Sequence, residues 1–252
     1  MTQRRVSLIA PGGAYVGPEL ARLLARRSFD LVLASPVAGL VDELGQLGAR
    51  VVSVGNPETG ETMGSAGGDV GASMVAAALD AFGTYHSVFY SSGRIALGRF
   101  SRMSTDDLAA AVHGNVELPF QFTQAVLPHL LSTGDGQVLV ATSATAGRPT
   151  AGASVYAATR SAATVLLQSA ALEFADSGVQ LNVVGTNFMD FPEFLRGNRI
   201  ETPEDRARVE SLVPMKRLGT MAEFAAFCAA FLDGTSRFAT GQFFPYAGGW
   251  AC

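Results

Sequence analysis

The chain has little that could hold a metal, form a disulfide or dock on a polyanion. Two cysteines occur in 252 residues, Cys228 inside an apolar helical pattern and Cys252 at the end, so neither a disulfide framework nor a metal-ligand spacing can be written. No metal is expected, and a reduced, cytoplasmic setting is. His86, His113 and His129 stand at no regular spacing from one another or from the residues singled out below, and no chemistry is assigned to them. Basic charge is short: 18 Lys and Arg against 22 Asp and Glu give a formal net charge of -4, without the electrostatic footprint that nucleic acid or an anionic membrane surface requires. No window approaches the roughly 18 apolar residues of a spanning helix. The apolar run after Met1 to Arg5 stops at Pro11-Gly12-Gly13, too early for a secretory signal. Internal repeats and low-complexity tracts are also missing. Nucleic acid and membrane drop out as partners, and small-molecule chemistry remains.

What is present is an apolar composition of 48% with 28 glycines, which suits helices packed closely on a sheet. Short apolar runs read as strands at Val6 to Ala10, Asp30 to Ala34, Ala49 to Val54, Ser87 to Ser91, Gln137 to Ala141, Gln180 to Val184 and Gln242 to Pro245. Between them, helical periodicity runs over Val16 to Arg27, Val37 to Leu47, Val70 to Phe82, Asp106 to Leu131, Ser154 to Asp176 and Met221 to Leu232. Such alternation predicts one α/β domain, a Rossmann-like doubly wound parallel sheet of seven strands with helices on both faces. Gly55 to Gly71 reads as a surface loop leading into a helix. Phe188 to Pro214 breaks the alternation with Asp190, Pro192, Pro203 and a charged helical patch from Glu204 to Glu210. Placed after a strand's carboxyl end, residues 185–215 are expected to form a pocket loop and lid over the ligand crevice.

One spacing carries chemistry: Ser143, twelve residues, Tyr156, three residues, Arg160. Tyr156 and Arg160 share one face of a helix, which puts a permanent cation beside a phenol. A free tyrosine, with a pKa of about 10, is a poor base near neutrality, and a neighbouring guanidinium favours its phenolate. General-base work then becomes feasible. Ser143, at a strand's carboxyl end, can hold a substrate oxygen beside the phenol. Taken singly, each of the three is an ordinary structural residue; the joint spacing is the signal.

That pattern resembles the active site of the short-chain dehydrogenase/reductase superfamily, with Arg where those enzymes carry Lys. The likeness spans nearly the whole chain and includes Asn115 in Asn115-Val116-Glu117-Leu118-Pro119-Phe120, Arg217-Leu218-Gly219, Thr240-Gly241-Gln242 and Ala247-Gly248-Gly249. The superfamily's lysine also binds the nicotinamide ribose, a contact that arginine's rigid fork does not reproduce. The dinucleotide motifs are degraded as well. A turn that lets backbone approach a pyrophosphate needs glycines, and the register ending on Gly17 meets Ala10, Pro11 and Tyr15 instead. Ala34-Ser35-Pro36 offers no charged residue for the adenosine ribose. Tyr90-Ser91-Ser92-Gly93 replaces Asn-Asn-Ala-Gly, and Gly185-Thr186-Asn187 replaces the expected Pro-Gly.

Ser, Tyr and Arg without a dinucleotide site resemble the halohydrin dehalogenase family. The resemblance implies a cofactor-independent lyase that closes vicinal haloalcohols to epoxides with release of halide, and reopens epoxides with azide, cyanide or nitrite. In that scheme Ser143 holds the substrate oxygen, Tyr156 takes its proton and Arg160 tunes Tyr156. Thr186, Asn187, Phe188 and Met189 resemble the halide-binding segment, with Thr186 standing where better-known members have Pro. Tyr15 either projects into the same cavity or stabilises its own turn. Phe191, Phe194 and Leu195, with Pro192, are expected as the apolar wall, and Trp250 as a residue that reaches a neighbouring subunit. A homo-oligomer, a tetramer by resemblance, is expected through the helices over Asp106 to Leu131 and Ser154 to Asp176. The alternative is a divergent NAD(P)H-dependent reductase; a non-enzymatic scaffold is the remaining reading.

Overall fold

In the computed structural model, which describes residues 4–55 and 68–251, seven parallel strands form one sheet in the order β3-β2-β1-β4-β5-β6-β9. They are β1 (Arg5–Ala10), β2 (Phe29–Ala34), β3 (Val51–Val54), β4 (Ser87–Ser91), β5 (Gly136–Ser143), β6 (Val179–Thr186) and β9 (Phe243–Tyr246). The central strands are apolar and buried on both faces, as a sheet covered by crossover helices demands. One face packs against α1 (Gly17–Arg26), α2 (Leu40–Gln46) and α9 (Met221–Ala230) through Leu20, Leu24, Leu40, Leu44, Phe224 and Cys228. The other packs against α3 (Gly68–Phe82), α5 (Leu118–Thr133) and α6 (Ser154–Glu173) through Met74, Ala78, Phe122, Val126 and Leu167. This is the single doubly wound α/β domain that the alternation predicts. Its strand order reverses between β1 and β4, so a crevice opens at their carboxyl ends.

Three readings need correction. The helix expected from Asp106 to Leu131 is two helices, α4 (Thr105–Val112) and α5, joined by a wide π turn over His113–Glu117. Pro119 has no amide to donate back to Asn115, so the ladder opens there. The helix expected from Val37 begins at Leu40, behind Gly39 at φ 79°. The strand expected from Ala49 begins at Val51. Gly55 to Gly71 falls mostly outside the described residues, and its helix starts at Gly68.

The segment after β6 holds β7 (Met189–Asp190), α7 (Pro192–Gly197) and α8 (Pro203–Glu210), followed by β8 (Gly219–Thr220), which pairs with β7. Two-residue strands carry no period, so this small ladder is invisible in the sequence. Thr202 caps α8 through a reciprocal box with Asp205, and Pro203 presets the first turn. Arg206 then ties α8 to Asp190 of β7 and to Glu210. Among the described residues no helix is long and apolar enough to cross a membrane, and no cluster of three or more His, Cys, Asp or Glu could hold a metal.

Candidate active site

Ser143 is the last residue of β5, Tyr156 lies in the first turn of α6 and Arg160 one turn further on. All three line one cavity of about 420 Å³ at the carboxyl edge of the sheet. Ser143 is 3% exposed. Its Oγ accepts from the Thr145 hydroxyl at 2.9 Å and from the Thr145 amide at 3.3 Å, which leaves its own hydrogen for an oxygen in the cavity.

Arg160 is also 3% exposed, with Cζ 5.3 Å from the centre of the Tyr156 ring. Its Nε and Nη1 have no hydrogen-bond partner among the described residues. A buried guanidinium without a carboxylate is costly unless something negative is put before it. Gly93, at φ 136°, admits it: a Cβ there would lie 2.0 Å from Arg160 Nη2 and 2.4 Å from Asn115 Oδ1. Asn115 accepts from the Arg94 amide at 2.8 Å and donates to the Arg94 carbonyl and to Thr159 Oγ1. Gly93 and Asn115 thus bracket the guanidinium, a role that sequence reasoning missed. The signal was there, in Tyr90-Ser91-Ser92-Gly93, but it counted only as a motif lost.

Tyr15 adopts φ 55° and turns its ring into the cavity, where its hydroxyl meets Thr186 Oγ1 at 2.5 Å. Phe191 and Phe224 hold the ring at centroid distances of 5.0 and 5.5 Å. Tyr15 therefore sits in the cavity, held by Thr186, Phe191 and Phe224. Desolvation pushes its phenol well above the ordinary value, against the Thr186 hydrogen bond, so it stays protonated. Tyr90 is pushed up to about 12, again by burial.

Thr186, Asn187, Phe188 and Met189 line the same cavity, and the backbone turns sharply at Phe188, φ 55°. Asn187 Oδ1 accepts from the Phe188 amide, so the side-chain carbonyl is engaged by its own loop. Phe191 and Phe194 line the wall. Leu195 does not: it packs away from the cavity against the group formed by Phe188, Val209, Val213 and Leu218. Trp250 lines the cavity in its own chain. Its ring lies 5.5 Å from that of Phe188 and beneath the Arg148 guanidinium at 4.9 Å. Ile95, Leu97 and Leu212 complete the lining from loops that carry no motif. The histidines pair elsewhere: His86 Nδ1 accepts from the Val6 amide, His129 meets Thr84 and His113 meets Glu117.

A fold of this kind lays a dinucleotide across the crevice, with its pyrophosphate on the first turn. The residues here do not fit one. A Cβ on Gly13 would lie 2.4 Å from the Ser35 carbonyl oxygen and 2.8 Å from the Val37 nitrogen, so the chain after β2 is packed onto the turn itself. The Gly12 amide is spent on the Ala34 carbonyl at 2.6 Å. Pro18 brings no N–H to the first turn of α1, and the Tyr15 ring stands beyond it.

A family model described as enoyl-(acyl carrier protein) reductase matches residues 19–251. The 2,5-dichloro-2,5-cyclohexadiene-1,4-diol dehydrogenase of Sphingobium indicum is 26% identical over 98% of this chain and 96% of its own length. Among solved structures, levodione reductase superposes with TM-score 0.84 at 21% identity, covering 98% of this chain and 97% of that one. A structure described as a dehalogenation enzyme superposes with TM-score 0.80 at 26% identity, covering 99% of both chains.

Proposed function

We propose that this chain, which belongs to the enoyl-(acyl carrier protein) reductase family within the short-chain dehydrogenase/reductase superfamily, is a cofactor-independent halohydrin dehalogenase. One observation carries the reading. The Ser143, Tyr156 and Arg160 group faces an open cavity, while the β1–α1 turn that would cradle a pyrophosphate is packed against the chain after β2 and Tyr15 stands between it and that cavity. Proton chemistry survives such a change; hydride transfer needs a donor.

A vicinal haloalcohol enters with its oxygen between Ser143 and Tyr156. The Ser143 hydroxyl donates to that oxygen, and Tyr156, beside the Arg160 guanidinium, takes its proton as general base. The oxygen's electron pair then attacks the adjacent carbon, the carbon–halogen bond breaks, and halide leaves with the bonding pair toward Thr186, Asn187, Phe188 and Met189. Neutral donors suit that anion, because they stabilise it without trapping it. In reverse, azide, cyanide or nitrite attacks an epoxide carbon, and Tyr156 returns the proton to the opened oxygen. Residues 185–215 serve as pocket loop and lid, with Phe191 and Phe194 as apolar wall. Phe120, Val165 and Leu172, exposed on α5 and α6, support assembly into a homo-oligomer, a tetramer by resemblance, and a cytoplasmic setting goes with the same reading.

The likeness to a dehalogenation enzyme over 99% of both chains supports this. The second reading, an NAD(P)H-dependent reductase, is favoured by the names of relatives such as the cyclohexadiene-diol dehydrogenase. Incubation with 2-bromo-1-phenylethanol and no nicotinamide separates the two. Bromide and styrene oxide in equal amounts are expected; no bromide, together with NAD-dependent ketone formation, would establish the reductase.

A further inference from the structure

A second cavity, also of about 420 Å³, lies on the other side of Tyr15. Tyr15, Ile95 and Phe191 line both spaces, so the first turn and the lid form a partition between them. The Tyr15–Thr186 hydrogen bond ties this partition to the loop that is read above as the anion cradle. Residues 186–189 line only the first cavity, so Tyr15 is the link between the cradle and the second.

The charges around that cavity are unequal. Arg94 is exposed at its wall and forms no ion pair among the described residues. Glu193, on the same wall, is paired with Arg196, and His113 with Glu117. Gly93 separates the cavity from Arg160 by backbone alone, and Arg160 is buried with two nitrogens unpartnered among the described residues. An uncompensated cation behind a wall with no side chain, and a second at the rim, make the space attractive to small anions.

We propose that this second cavity is an anion port: a site through which a small monovalent anion reaches or leaves Thr186–Met189 past Tyr15, without crossing the organic molecule in the first cavity. The proposal rests on the dehalogenase reading, since it needs an anion at that loop. It explains why the space next to the altered first turn is still open, although the turn is closed to a dinucleotide. It also gives Tyr15 a separate role, that of a gate held shut by Thr186, Phe191 and Phe224.

Trp250, the single tryptophan, lies 5.5 Å from Phe188, so iodide at the loop should quench its fluorescence saturably, and stopped flow would time the arrival. Ala110→Phe places a ring in the second cavity, and Ala110 does not line the first. Association and dissociation of iodide are both expected to slow about tenfold, with affinity unchanged, because an obstructed path alters rates and not the end states. Arg94→Glu, which leaves the cavity open, is expected to slow association about tenfold at low salt and much less at high salt. Unaltered association in both variants would overturn the port and leave the dehalogenase reading standing. No saturable quenching by iodide in the unsubstituted protein would overturn both.

Discussion

At the carboxyl end of β1 the chain packs Gly12 and Gly13 onto the backbone that follows β2, whereas at the carboxyl end of β5 it leaves Ser143 and Tyr156 facing open space. The two places are the two halves of one crevice, on either side of the point where strand order reverses. In the first half, the Gly12 amide is spent on Ala34 and Pro18 has none to give. In the second half, hydrogen-bonding capacity is kept unspent. Ser143 accepts from Thr145 and keeps its proton, and Arg160, 3% exposed, has two nitrogens without a partner among the described residues. A fold can thus retire one half of its ligand crevice by ordinary packing and keep the other half ready for reaction.

The largest effect is expected in the second half. Tyr156→Phe removes only a hydroxyl, and halide release should fall roughly a thousandfold with melting temperature nearly unchanged. Residual activity above a tenth would move the base elsewhere. Next is Gly93→Ala, whose Cβ would overlap Arg160 Nη2 and Asn115 Oδ1. Because the backbone there is also at φ 136°, it should lose about tenfold or more in kcat/KM and about 1–3 kcal/mol in stability. Full activity would mean that the guanidinium need not be where it is.

In the first half, Tyr15→Gly tests whether the closure is deeper than one side chain. NADH binding is expected to stay absent, since Gly13 remains packed against Ser35 and Val37. Saturable binding in this variant would reduce the closure to Tyr15 alone. The smallest effect lies outside both halves. Asp135 bridges Arg5 and Arg237, and although burial pushes its carboxyl up, these two hydrogen bonds outweigh it and hold the pKa at about 2. The stability this contributes is fully present above the ordinary carboxylate value and is lost as pH falls through about 2. Asp135→Asn should therefore cost about 1 kcal/mol or less at pH 7, read as a small drop in melting temperature that vanishes toward pH 2.

The sheet was legible because buried parallel strands are short apolar runs, and Ser87 to Ser91 was read to the residue. The break at His113–Glu117 was not, since apolar periodicity runs straight through it while the missing Pro119 amide acts on the backbone. For the site, spacing placed Ser143, Tyr156 and Arg160 on one cavity, and the loop order placed Thr186 to Met189 beside them. Leu195 was misplaced because α7 has only six residues and one turn decides which side chain faces in. Leu97 and Leu212 were out of reach for a different reason, since their place in the lining comes from contacts across the chain, and Gly93 was read only as part of a lost motif because its value to a guanidinium 67 positions away is not local.

The most direct test is equilibrium titration of the purified protein with NADH and NADPH, followed by calorimetry or by ligand fluorescence. With the first turn packed shut, no saturable binding is expected up to about 1 mM, the upper end of ordinary enzyme affinities. Tight, saturable binding of either dinucleotide would contradict the account.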